Sequence, residues 1–297
     1  MWSINVPNVV SVSWPVSDGS AIYFQVSNST LGNNLYSYAL NGTLNWRSPY
    51  ASRWQHYLGP IIVDGTLYFE GGTYGGLYSF NASNGAQQWY TPLPNYDSSS
   101  PTWWNGQLLA YTNRLDILDA HTGHLLATIT DPNSQSAPPN QAPVVIGNFA
   151  FVTNGGRLVA FDLVNKSIAW TQAINATGQI STDGAELFVV SGGSLNSRHP
   201  ASGVLLWSWT PPSVGLISNL IVTQSHVIAS NGRGIFVVNR ESHTVDKSWM
   251  GTAGDLLAFG EQTLVVASTS SRNISALEFE IELQACTPPC RAGAVTR

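Results

Sequence analysis

A repeat of about 41 residues, marked by tryptophan, is the sequence feature that most constrains the fold. Each copy has an apolar stretch, a turn rich in Asn, Ser and Gly, and a second stretch that we expect to open at a large flat side chain. That position is held by tryptophan in five copies and by alanine in one, at Trp46, Trp89, Ala127, Trp170, Trp207 and Trp249. The steps between them are 43, 38, 43, 37 and 42 residues. The pattern predicts two strands joined by a turn in every copy.

A second marker lies upstream in each copy, where two apolar stretches flank a tight-turn dipeptide. Seven such turns occur, at Asp18-Gly19, Asp64-Gly65, Asn105-Gly106, Gly147-Asn148, Asp183-Gly184, Gln224-Ser225 and Glu261-Gln262. The first five carry Gly with Asp or Asn, which tolerate the positive φ of primed hairpin turns. The last two dipeptides contain no glycine, and we assign them as turns because of their position in the repeat. Each copy therefore predicts a hairpin followed by two more strands.

Four short strands in each copy are the content of one blade of a β-propeller. A single small sheet cannot bury both of its faces, whereas blades stacked around an axis bury them against one another. The repeated tryptophan is expected to fill the wedge between neighbouring blades. The sequence therefore predicts an all-β fold, a propeller of four-stranded blades.

Seven hairpins predict seven blades, but the last blade lacks a fourth strand at its own end of the chain. Trp2 begins a segment that resembles the other tryptophan strands, so we expect residues 2–6 to complete the last blade and close the ring. A piece of an eight-bladed ring is the alternative. The propeller is expected to span residues 1–280. In the tail, residues 281–297, Cys286 and Cys290 could form a small disulfide loop.

The charge content is low and excludes several classes of protein. Charged residues make up 10% of the chain and the net charge is −5, which argues against a coiled coil and against nucleic-acid binding. No apolar run approaches the roughly 18 residues of a membrane-spanning helix, and the N-terminus as given resembles no signal peptide.

A surface of neutral polar residues instead favours an extracellular or cell-surface protein. Six glycosylation sequons point the same way, at Asn28, Asn41, Asn81, Asn165, Asn175 and Asn273. Chance alone would supply several sequons in a chain this rich in Asn, Ser and Thr. The sequence therefore predicts a glycoprotein only on the strength of its surface composition and these sequons together.

The segment Leu115-Asp-Ile-Leu-Asp-Ala-His-Thr-Gly-His-Leu-Leu126 resembles the repeat of the pyrroloquinoline-quinone-like propellers. Asn81 and Asp162 occupy the place of Asp119, and Gly85 and Gly203 occupy the place of Gly123. The resemblance covers residues 2–280. It implies a superfamily that includes quinoprotein dehydrogenases, an outer-membrane assembly lipoprotein and sensor domains of kinases. The Trp-Asp repeat family differs, because no Trp-Asp dipeptide ends a blade here.

The resemblance leaves a quinone-dependent dehydrogenase, or a degenerate relative of one, as an alternative function. Such dehydrogenases use an adjacent-cysteine disulfide, an aspartate base and several oxygen ligands for calcium. This chain has no adjacent cysteines. Asp64 and Asp183 lie in hairpin turns, Asp119 and Asp162 lie in later turns, and the six histidines are spread over several repeats. We therefore predict no catalytic residue, no metal ligand and no cofactor.

A binding surface is predicted where the second-to-third-strand loops and the links between blades share one rim. Arginine and aromatic side chains, which are enriched at interface hot spots, occur there. The candidate residues are Trp54, Tyr57, Arg114, Arg157, Arg233 and Arg272. We expect a monomeric, non-catalytic interaction or sensing module whose rim binds a protein, a carbohydrate or another small molecule. The alternatives are that the arginines only solubilise the loops and that the chain is a structural spacer in a larger surface protein.

Overall fold

The computed structural model describes residue 3 and residues 6–51, 59–71, 76–93, 99–135, 141–217, 219–252, 254–260, 263–268 and 273–278. These residues form 28 β-strands and contain no helix, hence none within the described ranges that could cross a membrane. The chain divides into two compact units, Met1–Pro143 and Val144–Arg297. Each unit is a succession of small antiparallel sheets.

The first unit contains three sheets. The first sheet consists of β1 (Val9–Val12), β2 (Val16–Ser17), β3 (Ala21–Asn28), β4 (Gly32–Ala39) and β5 (Leu44–Pro49). The second consists of β6 (Ile61–Val63), β7 (Thr66–Glu70), β8 (Leu77–Asn81) and β9 (Gln87–Thr91). The third consists of β10 (Thr102–Trp104), β11 (Gln107–Tyr111), β12 (Arg114–Asp119) and β13 (Leu125–Thr130). The first sheet has five strands because β1 and β2 both pair with β3, as two parts of one interrupted first strand.

The second unit contains four sheets. The fourth sheet consists of β14 (Val144–Ile146), β15 (Phe149–Asn154), β16 (Arg157–Asp162) and β17 (Ser167–Ala173). The fifth consists of β18 (Ala176–Thr182), β19 (Leu187–Ser191), β20 (Ser194–Arg198) and β21 (Leu205–Trp209). The sixth consists of β22 (Ile221–Val222), β23 (His226–Ser230), β24 (Gly234–Asn239) and β25 (Val245–Met250). The seventh has three described strands, β26 (Leu256–Gly260), β27 (Thr263–Ser268) and β28 (Asn273–Glu278).

Seven consecutive sheets, each pairing its strands in chain order, make the protein a seven-bladed β-propeller. The predicted fold class and blade number are confirmed. Trp2, with which the predicted closing strand begins, lies outside the described residues. So does the tail at 281–297, with Cys286 and Cys290. The predicted single-domain boundary at residue 280 stays a prediction.

In the first six sheets, the hairpin turns that precede the second long strand lie where the dipeptides predicted them, whereas Glu261-Gln262 lies outside the described residues. In Asp64-Gly65 both φ angles are positive, at 47° and 73°, and in Asn105-Gly106 they are 47° and 77°. These two turns have the positive φ pair of type I′, whose twist matches that of the flanking strands. In the dipeptide that begins at Gly147, only the glycine has a positive φ, at 57°.

The Asp-Gly turns that begin at Asp18 and Asp183 are built differently from this prediction. Only Gly19 has a positive φ in the first of them. The Asp18 carboxylate instead accepts hydrogen bonds from the backbone amides of Ser20 and Ala21, at 2.8 and 2.9 Å. Burial raises the pKa of Asp18, but these hydrogen bonds outweigh it and lower the pKa to about 2. The aspartate therefore shapes the turn through its side chain rather than through its backbone.

The core lies between successive sheets, and the third strands of the first six sheets contribute to it with both faces. In β16, Leu158, Val159, Ala160 and Phe161 are all fully buried. This explains why the third strands read as nearly continuous apolar runs instead of alternating patterns. Fully burying one such side chain stabilises the fold by about 1.5–3 kcal/mol.

A β-bulge precedes the tryptophan position in each of the first six sheets. In the second sheet Phe80 pairs with Gln87 and Ser79 pairs with Trp89, so that Gln88 has no partner of its own. The tryptophan therefore lies in the middle of the fourth strand, and the prediction that it opens this strand is wrong. The extra residue increases the local twist of the strand.

The register also corrects the tryptophan position in the sixth sheet. Val238 pairs with Val245 and Val237 pairs with Lys247, which places Lys247, not Trp249, at the repeated position. Residues two positions apart in a strand point to the same face, so Trp249 points toward the core as Lys247 does. It packs on the buried cluster formed by the sixth and seventh sheets. The Lys247 ammonium lies 4.9 Å from the centre of its ring.

In the first, second and fourth sheets, the repeated tryptophan locks its sheet to the next through a glycine. The indole Nε1 of Trp89 donates a hydrogen bond to the carbonyl of Ala120, at 3.1 Å. Its ring lies flat over Gly123, where a Cβ atom would be 2.6 Å from a ring carbon. Gly123 also has a φ of +73°. A side chain at this position is therefore excluded twice, by backbone conformation and by the ring.

The same contact recurs in both units. Indole nitrogens donate to carbonyl oxygens of the next sheet, with the pairs Trp46–Ala82 and Trp170–Pro200 both at 2.9 Å. At the junction of the fifth and sixth sheets, His243 takes the glycine place with a φ of +59°. Its ring stacks on Trp207 with a centroid distance of 4.6 Å. The prediction that the tryptophans pack between sheets is borne out by these contacts.

We expect Gly123→Ala to destabilise the protein more than Gly106→Ala. Both glycines lie in the third sheet with a positive φ, but a Cβ on Gly106 would meet nothing within 4 Å. The conformational cost of about 1–2 kcal/mol is common to both variants, whereas only Gly123→Ala adds the clash with Trp89, worth about 1–3 kcal/mol. Urea unfolding measures the difference. Equal losses of stability would show that the indole contact contributes nothing.

Candidate binding site

The predicted arginines occupy one and the same place in their respective sheets, where the third strand begins. Arg114 and Arg157 are the first residues of β12 and β16, and Arg233 directly precedes β24. We call Arg114, Arg157 and Arg233 the rim arginines. Arg114 pairs with Thr130 and Arg157 pairs with Ala173, which are the last residues of the fourth strands. The second-to-third-strand loop and the exit of each sheet therefore share one edge, as predicted.

Arg114 is held in place by a buried carboxylate. Its Nε donates a hydrogen bond to Asp116 Oδ2 at 3.0 Å, and the other carboxylate oxygen accepts one from the Thr128 hydroxyl at 2.6 Å. The Asp116 side chain is 3% exposed and that of Arg114 is 34% exposed. Among the described residues, the Arg114 Nη atoms have no hydrogen-bond partner. The buried carboxylate thus orients a guanidinium whose outer edge faces solvent.

Arg233 is presented by a turn that a buried asparagine builds. The side-chain oxygen of Asn231 accepts hydrogen bonds from the backbone amides of Arg233 and Gly234, at 2.9 and 3.0 Å. Its side-chain nitrogen donates to the carbonyl of Val214 at 2.9 Å. Asn231 is fully buried, and Arg233 is exposed. The turn is therefore rigid where it carries the arginine.

The other predicted residues of the rim, Trp54, Tyr57 and Arg272, lie outside the described residues. The link that carries Trp54 and Tyr57 follows Ala51, whose backbone carbonyl accepts a hydrogen bond from the Tyr78 hydroxyl at 2.8 Å. Arg157 is half-buried at the start of its strand.

A second charged region, in the fifth and sixth sheets, has no counterpart in the sequence prediction. It is an open depression of about 320 Å³, and we call it the Arg240 depression; its lining residues are Glu186, Gln224, Ser225, Asn239, Arg240 and Glu241. The Arg240 guanidinium pairs with Asp183 and donates to the carbonyls of Thr223 and Gln224, at 2.8 and 3.0 Å. It also lies 5.0 Å from the centre of the Phe188 ring. Arg240 is thus a cross-link between two sheets.

The acidic groups beside the depression are already satisfied by the protein. Burial raises the pKa of Asp183, but hydrogen bonds from the amides of Glu186 and Ala185 and the Arg240 guanidinium hold that pKa below its ordinary value. Asp246 accepts hydrogen bonds from Asn239 and His226, at 2.8 and 2.9 Å, and these lower its pKa. Asp183 and Asp246 are therefore engaged within the protein, and Arg240, the cation among the residues that line the depression, is already paired with Asp183.

The carboxylates of Asp119 and Asp162 accept hydrogen bonds from groups of their own turns. Asp119 accepts hydrogen bonds from the amide and the hydroxyl of Thr122, at 2.7 and 2.8 Å. Asp162 accepts them from the amides of Val164 and Asn165, at 2.9 and 2.8 Å. Within the described ranges, no group of three or more His, Cys, Asp or Glu side chains is arranged to hold a metal ion. These carboxylates shape turns.

We expect Arg240→Met to cost about 1–3 kcal/mol of stability at pH 7, because it removes the cationic partner of the partly buried Asp183 carboxylate. The lowered pKa of Asp183 contributes stability that is present above its unfolded-state pKa and is lost as the pH falls through its folded-state pKa. The deficit of the variant should therefore shrink below about pH 4. Urea unfolding at pH 7 and pH 3 measures it. Arg233→Met, at an exposed site, is the control and should change stability by less than about 0.5 kcal/mol.

Comparison with solved structures shows the same fold in proteins of distant sequence. BamB from Moraxella catarrhalis superposes with a TM-score of 0.71 at 16% sequence identity, over 89% of this chain and 83% of that chain. The C-terminal WD40 domain of Sif2 superposes with a TM-score of 0.69 at 14% identity, over 91% and 81%. The computationally designed protein Ika8 gives a TM-score of 0.54 at 9% identity, over 90% and 96%.

These structural similarities show only the fold, whereas the sequence identifies the family. No curated protein sequence matches it. The family model described as outer membrane protein assembly factor BamB matches residues 1–209, a segment that includes the glycine turns at Gly85, Gly123 and Gly203 and the tryptophans that cover them. The chain therefore belongs to the BamB family of pyrroloquinoline-quinone-like repeat β-propellers.

Proposed function

We propose that this protein is a non-catalytic interaction module that binds a partner protein through its rim arginines. The observation that carries the proposal is the pairing of Arg114 with buried Asp116, because the carboxylate orients the guanidinium and leaves its outer edge in solvent. An arginine that is already ordered loses less side-chain entropy on binding. The family model, described as an assembly factor, supports a role in holding proteins together.

The chemistry of the rim favours an acidic partner segment. A guanidinium forms paired hydrogen bonds with a carboxylate, and arginine is enriched at the centres of interfaces. The chain as a whole carries a net charge of −5, so that a local cationic site stands out from its surroundings and can guide association. A small anionic molecule or a carbohydrate would use the same side chains.

We further propose that the protein works outside the cytosol, at the cell envelope or cell surface. Its surface polarity comes from neutral side chains, with only 10% charged residues. The family's description names the outer membrane, which agrees with such a location. Fractionation of cells with an antibody against the chain tests this part separately.

Replacing the three rim arginines should abolish partner binding while the fold is retained. The variant combines Arg114→Gln, Arg157→Gln and Arg233→Gln, and glutamine keeps a hydrogen-bond donor near Asp116. Quantitative mass spectrometry of proteins captured from envelope extracts of the source cells should show at least a tenfold loss of the partner. The capture should also weaken as the salt concentration rises.

The matched control replaces two exposed cations away from the rim, Arg47→Gln and Lys166→Gln. It should capture the same partner as the wild type. Unchanged capture by the triple variant would contradict the proposal. If the arginines bind only a small anion, protein capture will be absent from the wild type as well, and calorimetry with a dicarboxylate will show binding that the triple variant lacks.

A further inference from the structure

The six sequons fall into environments that the structure distinguishes. Asn41, Asn81 and Asn165 lie in the turns that join third and fourth strands, Asn175 lies in the link between β17 and β18, and Asn28 ends β3. Asn273 is the first residue of β28, and its side chain is outside the described residues. The fold can accommodate a bulky glycan only on an asparagine amide that the folded surface leaves accessible.

Asn28 is closed to modification by its own contacts. It is 5% exposed, and its side-chain nitrogen donates a hydrogen bond to the carbonyl of Pro7 at 2.6 Å. Its side-chain oxygen accepts from the amides of Thr30 and Leu31, at 2.8 and 2.9 Å. A glycan on that nitrogen would have to occupy the space of the Pro7 backbone. Asn28 therefore serves as an internal negative control.

Asn41 and Asn175 have the opposite character. Both are exposed. The Asn41 side-chain oxygen accepts a hydrogen bond from the backbone amide of Thr43, the hydroxyl residue of the same sequon, at 3.0 Å. The turn therefore engages only the side-chain oxygen of Asn41, and no described residue accepts a hydrogen bond from its side-chain nitrogen. Asn175 sits at a left-handed backbone position with a φ of +54°, and its side-chain nitrogen likewise has no partner among the described residues.

The remaining turn sequons are less open. Asn81 is half-buried. The side-chain nitrogen of Asn165 donates to the Asp162 carboxylate at 2.7 Å, and modification would disturb a hydrogen bond that helps to hold the turn. The geometry thus separates two open sequons from three that are wholly or partly closed.

We propose that Asn41 and Asn175 carry N-linked glycans. This inference rests on the proposed location outside the cytosol, where glycosyl transfer from a polyisoprenyl phosphate or pyrophosphate donor takes place. In the transfer, the bond from the sugar's anomeric carbon to the donor's phosphate oxygen breaks. A bond from that carbon to the asparagine side-chain nitrogen forms, the nitrogen loses one proton, and the phosphate leaves as an anion. No oxidant or reductant is required.

The two sites differ in their relation to the rim of their own sheets. Asn41 follows β4, at the end of the sheet opposite the loop between β3 and β4. Asn175 lies beside Gly156, the neighbour of Arg157, since the amide of Ala176 donates to the Gly156 carbonyl at 3.0 Å. A glycan on Asn41 therefore leaves the rim of its sheet bare, whereas a glycan on Asn175 borders a rim arginine.

The test is glycopeptide mass spectrometry of the protein purified from its own cells. We expect the peptides containing Asn41 and Asn175 to carry saccharide mass, and the peptide containing Asn28 to have its unmodified mass. Thr43→Ala and Thr177→Ala destroy the two sequons and should each remove one glycan. The matched variants Thr43→Ser and Thr177→Ser preserve the sequons and should retain both glycans.

Equal urea midpoints for each Ala and Ser pair will show that glycan loss does not reflect misfolding. An unmodified Asn41 or Asn175 peptide from the wild type overturns the assignment of that residue, and a saccharide on Asn28 overturns the argument from burial. Partner capture by Thr43→Ala should equal that of the wild type. Failure of glycosylation and failure of partner binding are therefore read from separate measurements.

Discussion

The fit of a flat indole ring on a glycine turn is the interaction on which the rest of this structure depends. A small four-stranded sheet has two apolar faces and cannot be stable alone. Trp89 closes one such face by covering Gly123 and donating a hydrogen bond to the neighbouring turn. The contact works only if the covered residue lacks a side chain in the way and adopts a left-handed backbone. His243, which stands in place of the glycine in the sixth sheet, keeps the left-handed conformation and stacks its ring on Trp207.

Most of the few charged side chains described above also make contacts that hold the fold together. The carboxylates of Asp18, Asp119 and Asp162 accept hydrogen bonds from the backbone amides of their own turns. Arg240 joins two sheets, and its charge is neutralised by Asp183. Against this background the rim arginines differ, because Arg114 is oriented by a buried carboxylate and still faces solvent. A guanidinium that is ordered by an ion pair and still keeps its outer edge in solvent is the feature that supports a partner there.

Sequence reasoning found the rim but missed the Arg240 depression, and the physical reason is distance along the chain. Arg114 and Asp116 are two residues apart on one face of a strand, so that the period of a strand already brings them together. Arg240 and Asp183 belong to different sheets and are 57 residues apart. The Asp183-Gly184 dipeptide signalled a turn, and no pattern in the sequence paired its carboxylate with a particular arginine.

The sequence by itself determined the class of fold and predicted seven blades and their hairpin turns, because a repeated pattern of apolar stretches, turn dipeptides and tryptophans leaves few other ways to bury so many small sheets. It placed the start of the fourth strands at the tryptophan, although these strands begin before that position. It misplaced one tryptophan position, because the residue in register with Val237 at the repeated position of the sixth sheet is Lys247, and the nearby tryptophan, Trp249, lies two residues later in the strand. Only the tertiary structure decided which polar side chains are buried in hydrogen bonds within the protein and which remain exposed to solvent. Asn28 and Asn41 carry the same sequon, and burial of one and exposure of the other follow from packing that no local pattern records.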